Sequence, residues 1–150
     1  MELTALLGRG SLALDTAVFI YFMEEHPKFL GVVEPIFNAI DSERVRGVTS
    51  ALTLLETLVV PYRARDDALA ARYETLLTRS RGLRLVEIDR PCLRSAARLR
   101  SRHRLRTPDA IQIAAALGQR CPCFVTNDRK LPEIPGIEVV QLSSLTAGRP

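Results

Sequence analysis

The sequence has only two histidines, three cysteines and two lysines among 150 residues, and each scarcity closes off some chemistry. Acid–base catalysis by a histidine pair is a poor fit, because His26 and His103 have no evident complementary partners. Three cysteines cannot all pair within one chain, so no disulfide framework is read. Cys121-Pro122-Cys123 has no second Cys or His pair at ligand spacing, which leaves zinc without a site. No stretch approaches the ~20 consecutive apolar residues of a membrane span. The N-terminus, MELTALLGRG, has no basic start followed by an apolar core and a cleavage site, so no secretory signal is read. The expectation is a soluble, cytoplasmic chain. A Gly-rich phosphate loop is also missing, so nucleotide hydrolysis fits badly.

What is present is an ordinary globular balance, 47% hydrophobic and 25% charged. It predicts a single domain over residues 1–150, with 143–150 a frayed tail. The formal net charge is +4, but residues 90–106 alone hold seven arginines and no acid, leaving −3 for the remainder. Lys28 and Lys130 are the only lysines. The planar arginine fork matches phosphate oxygens in two-point contacts, and a basic segment in a mildly acidic chain suits a nucleic-acid backbone. The plainer alternative is a solvated helix face, and charge alone leans slightly toward it.

Short apolar runs alternate with helical patterns. Strands are expected at Leu12–Leu14, Val45–Thr49, Leu83–Ile88, Cys123–Thr126 and Ile137–Val140. Helices are expected at 16–23, 30–40, 51–62, 66–78 and 90–103, and again from Thr107, read as a cap with Pro108 at the first helical position. In the 51–62 helix, residues 51, 52, 55, 58, 59 and 62 mark an apolar face. Strands separated by helices imply parallel pairing with right-handed crossovers. The predicted fold is therefore an α/β three-layer sandwich around a parallel sheet of about five strands.

In such a fold, strand C-termini and helix N-termini share one edge, where sites form. Asp15 directly follows the first strand. Glu56 lies early in the helix after the second, Asp109 lies in the first turn of the helix from Thr107, and Asp128 ends the fourth strand. The four acids span 114 positions but should face the same edge. Asp15 and Glu56 are bordered by apolar residues, and burying unpartnered carboxylates is costly. Gathered carboxylates also repel one another, and a divalent cation resolves both problems; an all-oxygen donor set suits Mg²⁺ or Mn²⁺. Each acid has a plainer alternative. Asp15 could cap its helix, Glu56 could complete a capping box with Thr53, Asp109 could favour a helix N-terminus, and Asp128 could serve a turn. One metal site accounts for all four more economically.

These segments resemble a known family. LALDTAVFI with Asp15, SALTLLETL with Glu56, RTPDAIQIAAAL with Asp109 and FVTNDRKL with Asp128 are similar to the motifs of PIN-domain ribonucleases, specifically VapC-type toxins. The resemblance spans nearly the whole chain in the family's order. It implies a PIN-like fold and a metal-dependent endoribonuclease, the toxin of a toxin–antitoxin pair, with these four acids around Mg²⁺ or Mn²⁺. It also implies homodimerisation and an antitoxin partner across the active-site groove. The rival from another class is a PIN-like RNA-binding or assembly module without turnover. Phosphatases that need Asp-x-Asp fit badly, since Asp15 is followed by Thr-Ala-Val. Receiver domains fit no better, because Asp15 stands without the acidic pair they require.

The resulting expectations are specific. Asp15, Asp109 and Asp128 hold the metal, with Asp15 and Asp109 as direct ligands. Glu56 stands at the rim to orient or deprotonate water. Thr126 and Asn127 position an acid or a phosphate, a plain strand-end turn being an equal alternative. Arg104 and Arg106 hold the RNA backbone, and Arg94, Arg98 and Arg102 form a basic stripe. Phe19, Tyr21, Phe22, Met23, Phe29 and Phe37 read mainly as core or contact residues. The first ten residues receive no role.

Overall fold

The computed structural model describes residues 1–147. Five strands, β1 (Ser11–Leu14), β2 (Arg46–Ser50), β3 (Leu83–Val86), β4 (Cys123–Thr126) and β5 (Glu138–Gln141), form one sheet. Every pairing is parallel, and the spatial order is β3-β2-β1-β4-β5. The α-helices are α1 (Leu3–Leu7), α2 (Thr16–Met23), α3 (Leu30–Asp41), α4 (Leu52–Arg63), α5 (Asp67–Arg79), α6 (Arg90–Arg102) and α7 (Thr107–Gly118). The three-layer parallel sandwich expected from the strand–helix alternation is the fold that forms. No helix among the described residues is long and apolar enough to cross a membrane.

Strand alternation divides the core between two layers. Leu12 and Leu14 of β1, with Cys123 and Val125 of β4, pack beneath α1, α2 and α3. Ala13 and Phe124 point the other way, into the layer made by α6 and α7. A close approach fixes the entry to β3. A side chain at Gly82 would place its Cβ 1.9 Å from the Ile40 carbonyl oxygen, so only glycine lets the loop pass α3 there.

Several local expectations are corrected. On α4 the inward face is Thr53, Thr57, Leu58 and Pro61, while Leu55 and Tyr62 are exposed. Thr53 finds buried partners there in Thr49 and Gln112, and Thr57 satisfies its hydroxyl on the helix's own Thr53 carbonyl. Thr107 is the first helical residue of α7, not its cap, and Arg106 takes the cap position without a side-chain cap bond. The unassigned N-terminus forms α1, which buries Leu3 and Leu6. The chain is not frayed from Ser143: Leu142–Ser144 make a 3₁₀ turn, Leu145 is buried, and the Thr146 amide donates to the Met1 carbonyl at 3.2 Å. Residues 148–150 of the expected tail lie outside the described residues.

Candidate active site

From β1 the sheet grows through β2 and β3 on one side and through β4 and β5 on the other. Parallel α/β sheets bind ligands beyond the strand C-termini at such a reversal. Asp15 leaves β1 at this boundary. Its amide donates to the Val125 carbonyl of β4 at 2.9 Å. Its carboxylate Oδ1 accepts from the Thr16 amide at 2.8 Å, and Oδ2 accepts from Thr126 Oγ1 at 2.7 Å. The capping role is therefore real and uses only one oxygen. Burial pushes the Asp15 pKa up; the Thr126 and Thr16 hydrogen bonds oppose the rise, while the charges of Asp109 and Glu56 add to it.

The other acids arrive from three different elements. Asp109, buried in the first turn of α7, accepts from Arg106 Nε at 3.2 Å on Oδ2. Arg106 itself is exposed, and Asp109 first, then Asp128 and Glu56, stabilise its protonated form. Asp128 Oδ1 accepts from the Lys130 amide at 2.9 Å, and Gln141 Nε2 donates to the Asp128 carbonyl at 2.9 Å. The expected turn at Asp128 thus exists and presents the acid. Glu56 sits half-buried on α4 and accepts from Thr16 Oγ1 at 2.8 Å on Oε1. Its capping box with Thr53 does not form, since Ala51 takes the cap position.

A cleft of about 710 Å³ joins these groups; Asp15, Asp109, Asp128, Tyr21, Arg104, Arg106, Asn127 and Lys130 line it with Ala17 and Leu131. Glu56 is not among these lining residues and is tied to the site through Thr16, the neighbour of Asp15. Volume alone does not single out this cleft, because a groove of about 750 Å³ opens beside β3, with Glu43 and Glu87 but no aspartate. The convergence of three aspartates with two arginines and a lysine does.

The structure redistributes the remaining candidates. Thr126 is fully buried and bonded on both sides, donating to Asp15 and accepting from the Asp128 amide at 3.1 Å. Of the two roles expected for it, its hydroxyl is bonded to the acid. Asn127 lines the cleft, where its Nδ2 donates to the Tyr21 hydroxyl at 3.0 Å. Tyr21 and Lys130 are cleft residues that the sequence pattern missed; Tyr21 was hidden in the run TAVFIYFM, apolar on every face. Arg100 is committed elsewhere, donating to the Leu105 carbonyl and Thr107 Oγ1 at 3.0 Å each, which braces the loop carrying Arg104 and Arg106. Phe29 and Phe37 are buried in the core.

The donor set fits a hard cation in one respect and limits it in another. The side chains are all oxygen ligands, and mutual repulsion is one of the causes that raise Asp15. Among the described residues, however, no three carboxylate, His or Cys groups close on a common point. An all-oxygen donor set is the kind that hard cations such as Mg²⁺ take, through one or two carboxylates.

Comparison with known proteins identifies the family. A family model described as the PIN domain matches residues 12–137. Comparison with curated protein sequences returns no significant match. Among solved structures, the chain is similar to VapBC2 from Rickettsia felis bound to a promoter DNA fragment, with TM-score 0.69 at 15% identity over 87% of this chain and 98% of that one. A toxin–antitoxin complex from Klebsiella pneumoniae gives TM-score 0.65 at 20% identity over 87% and 97%. VapC20 of Mycobacterium tuberculosis, a toxin that cleaves the sarcin-ricin loop, gives 0.60 at 16% identity over 75% and 86%. At these identities the likeness is one of fold, and the family match over most of the sequence carries the assignment: the chain belongs to the PIN domain family.

Proposed function

We propose that the protein is a metal-dependent endoribonuclease that acts as the toxin of a toxin–antitoxin pair. The observation that carries this is the meeting of Asp15, Asp109 and Asp128 in one cleft beside Arg104, Arg106 and Lys130. Asp15, Asp109 and Asp128 would hold Mg²⁺ or Mn²⁺, directly or through water, with Glu56 at the rim. When bound, the ion supplies an acidified water and neutralises charge developing on the scissile phosphate.

The protein's own groups have separate tasks. Thr126 and the Thr16 amide orient the two oxygens of Asp15. Thr16 anchors Oε1 of Glu56, which leaves Oε2 to accept a proton from the attacking water. Arg104, Arg106 and Lys130 draw the phosphodiester backbone in, giving affinity without sequence choice. Asn127 and Tyr21 offer an amide oxygen and a hydroxyl proton to the strand lying in the cleft. The proposed partners are RNA, an antitoxin protein and a second copy of the chain. The resemblance to the toxin–antitoxin complex supports the antitoxin, and that to the sarcin-ricin loop cleaving toxin supports the RNA.

One observation favours the rival module that binds without cutting: Asp109 already has a cationic partner in Arg106. A cleavage assay on a mixed pool of structured RNAs separates the two. Cleavage that needs Mn²⁺ or Mg²⁺, stops in EDTA and is lost in Asp109→Asn is expected. Undiminished RNA binding without any cleavage under all metals would establish the module instead.

A further inference from the structure

Gln112 is the one strongly polar residue in the buried stretch 110–116 of α7, and it is itself buried. It lies one turn after Asp109. Across from it on α4, Thr53 lies one turn before Glu56. Gln112 Nε2 donates to Thr53 Oγ1 at 2.8 Å and reaches Thr16 Oγ1 at 3.4 Å, while its Oε1 accepts from the Ser50 amide at 3.2 Å.

The proton directions in this cluster follow from the acceptors at its ends. A carbonyl only accepts, so Thr49 Oγ1 sends its single proton to the Leu14 carbonyl at 2.9 Å. The 2.7 Å bond between Thr49 and Thr53 must then carry the Thr53 proton. Thr53 has none left, and Thr16 gives its own to Glu56. The protons therefore run in two branches from the Gln112 amide, one through Thr53 and Thr49 to Leu14, the other through Thr16 to the Glu56 carboxylate. A flipped Gln112 would face the Ser50 N–H with its own NH₂, so the network also sets the amide orientation. Every buried polar atom in it is satisfied, which is the condition for such a network to be rigid.

From this we infer that Gln112 is a positioning residue: by bonding Thr53, it locks the two acid-bearing helices α4 and α7 together one turn below Glu56 and Asp109. Through Thr16 it also orients Glu56. The inference rests on the metal-site reading proposed above, because its consequence is the spacing of the acids that would face the ion.

The test is Mn²⁺ binding by calorimetry on the full chain and on Gln112→Met, Thr53→Val, Thr53→Ser and the Gln112→Met/Thr53→Val pair. Thermal unfolding in EDTA accompanies each as a check on folding. Methionine keeps the volume of Gln112 and removes all three of its hydrogen bonds; serine keeps the hydroxyl of Thr53 and removes only a methyl. Gln112→Met and Thr53→Val should each weaken Mn²⁺ binding roughly 10- to 100-fold. The pair should be no weaker than the worse single, and Thr53→Ser should match wild type. Wild-type affinity in cooperatively folded Gln112→Met and Thr53→Val overturns the inference while leaving the metal site standing. So does a Thr53→Ser loss equal to that of Thr53→Val, since packing and not the hydroxyl would then matter. If Gln112→Met does not fold, the Thr53 variants decide. No Mn²⁺ binding by wild type removes the metal-site reading, and this inference with it.

Discussion

Arg106 Nε lies 3.2 Å from Asp109 Oδ2, so a cationic side chain of the chain itself occupies an acid proposed to hold a metal. The arginine is exposed, and an exposed pair of this kind contributes little to stability. Its effect should appear in ion binding. Arg106→Ala should bind Mn²⁺ more tightly than wild type, with unfolding temperature nearly unchanged. Equal affinities would mean that the pair opens freely in solution.

RNA binding should respond in the opposite sense. Arg104 and Arg106 both line the cleft. Each phosphate contact on a single strand contributes about 0.7 to the slope of log affinity against log salt. The Arg104→Ala/Arg106→Ala variant should therefore lower that slope by about 1.4 if each holds one phosphate. An unchanged slope would remove both from the interface.

Thr126 joins β4 to Asp15, and its only routes to influence are the bonds to Asp15 Oδ2 and from the Asp128 amide. Thr126→Val leaves both partners unsatisfied, at a cost of about 1–3 kcal/mol each. It should also weaken Mn²⁺ binding about tenfold, with Thr126→Ser restoring it. A valine variant with wild-type affinity would show that Asp15 orients itself.

Asp15 should make metal-free protein less stable as pH rises. Its folded pKa stands above 3.8, mainly through burial, so the folded state holds the proton more tightly than the unfolded chain. Its contribution is full below 3.8 and is lost as pH rises through the raised folded value. Asp15→Asn avoids that loss, although Thr126 then lacks its anionic acceptor. In EDTA near neutral pH the variant should melt higher than wild type, and the gap should close in acid. A lower melting temperature at neutral pH would show that the Thr126 bond outweighs burial.

Gly82 offers a test of the fold itself. A Cβ placed 1.9 Å from the Ile40 carbonyl oxygen forces backbone to move. Gly82→Ala should cost about 3 kcal/mol, or roughly 10 °C of unfolding temperature. A variant that melts with wild type would mean that the β3 entry loop sits farther from α3.

The three cleft aspartates were legible because strand ends and helix starts share an edge in a parallel sheet, whatever the details of packing. Glu56 was legible as a lone charge in an apolar helix, but which face it shares was not. The positions at 55 and 62 turn outward while Thr53 meets Thr49 and Gln112 inside. Whether Thr126 serves an acid or a phosphate was not legible, because all four residues of β4 are buried and alternation does not say which side chain meets the cleft. Tyr21 read as a core or contact residue because it sits in the apolar run AVFIYFM. Gln112 did carry a signal, a single amide in AIQIAAA, and its meaning depended on Thr53, 59 positions away. The five residues of α1 are too few for periodicity to show.

The central claim, that the converging acids make a divalent-cation site, is tested most directly by titrating Mn²⁺ into wild type and into Asp15→Asn/Asp109→Asn in a calorimeter. The measurement needs no choice of RNA. Saturable binding by wild type that the double variant loses is the predicted result. Identical heats from the two proteins, or no binding by either at millimolar metal, would contradict it.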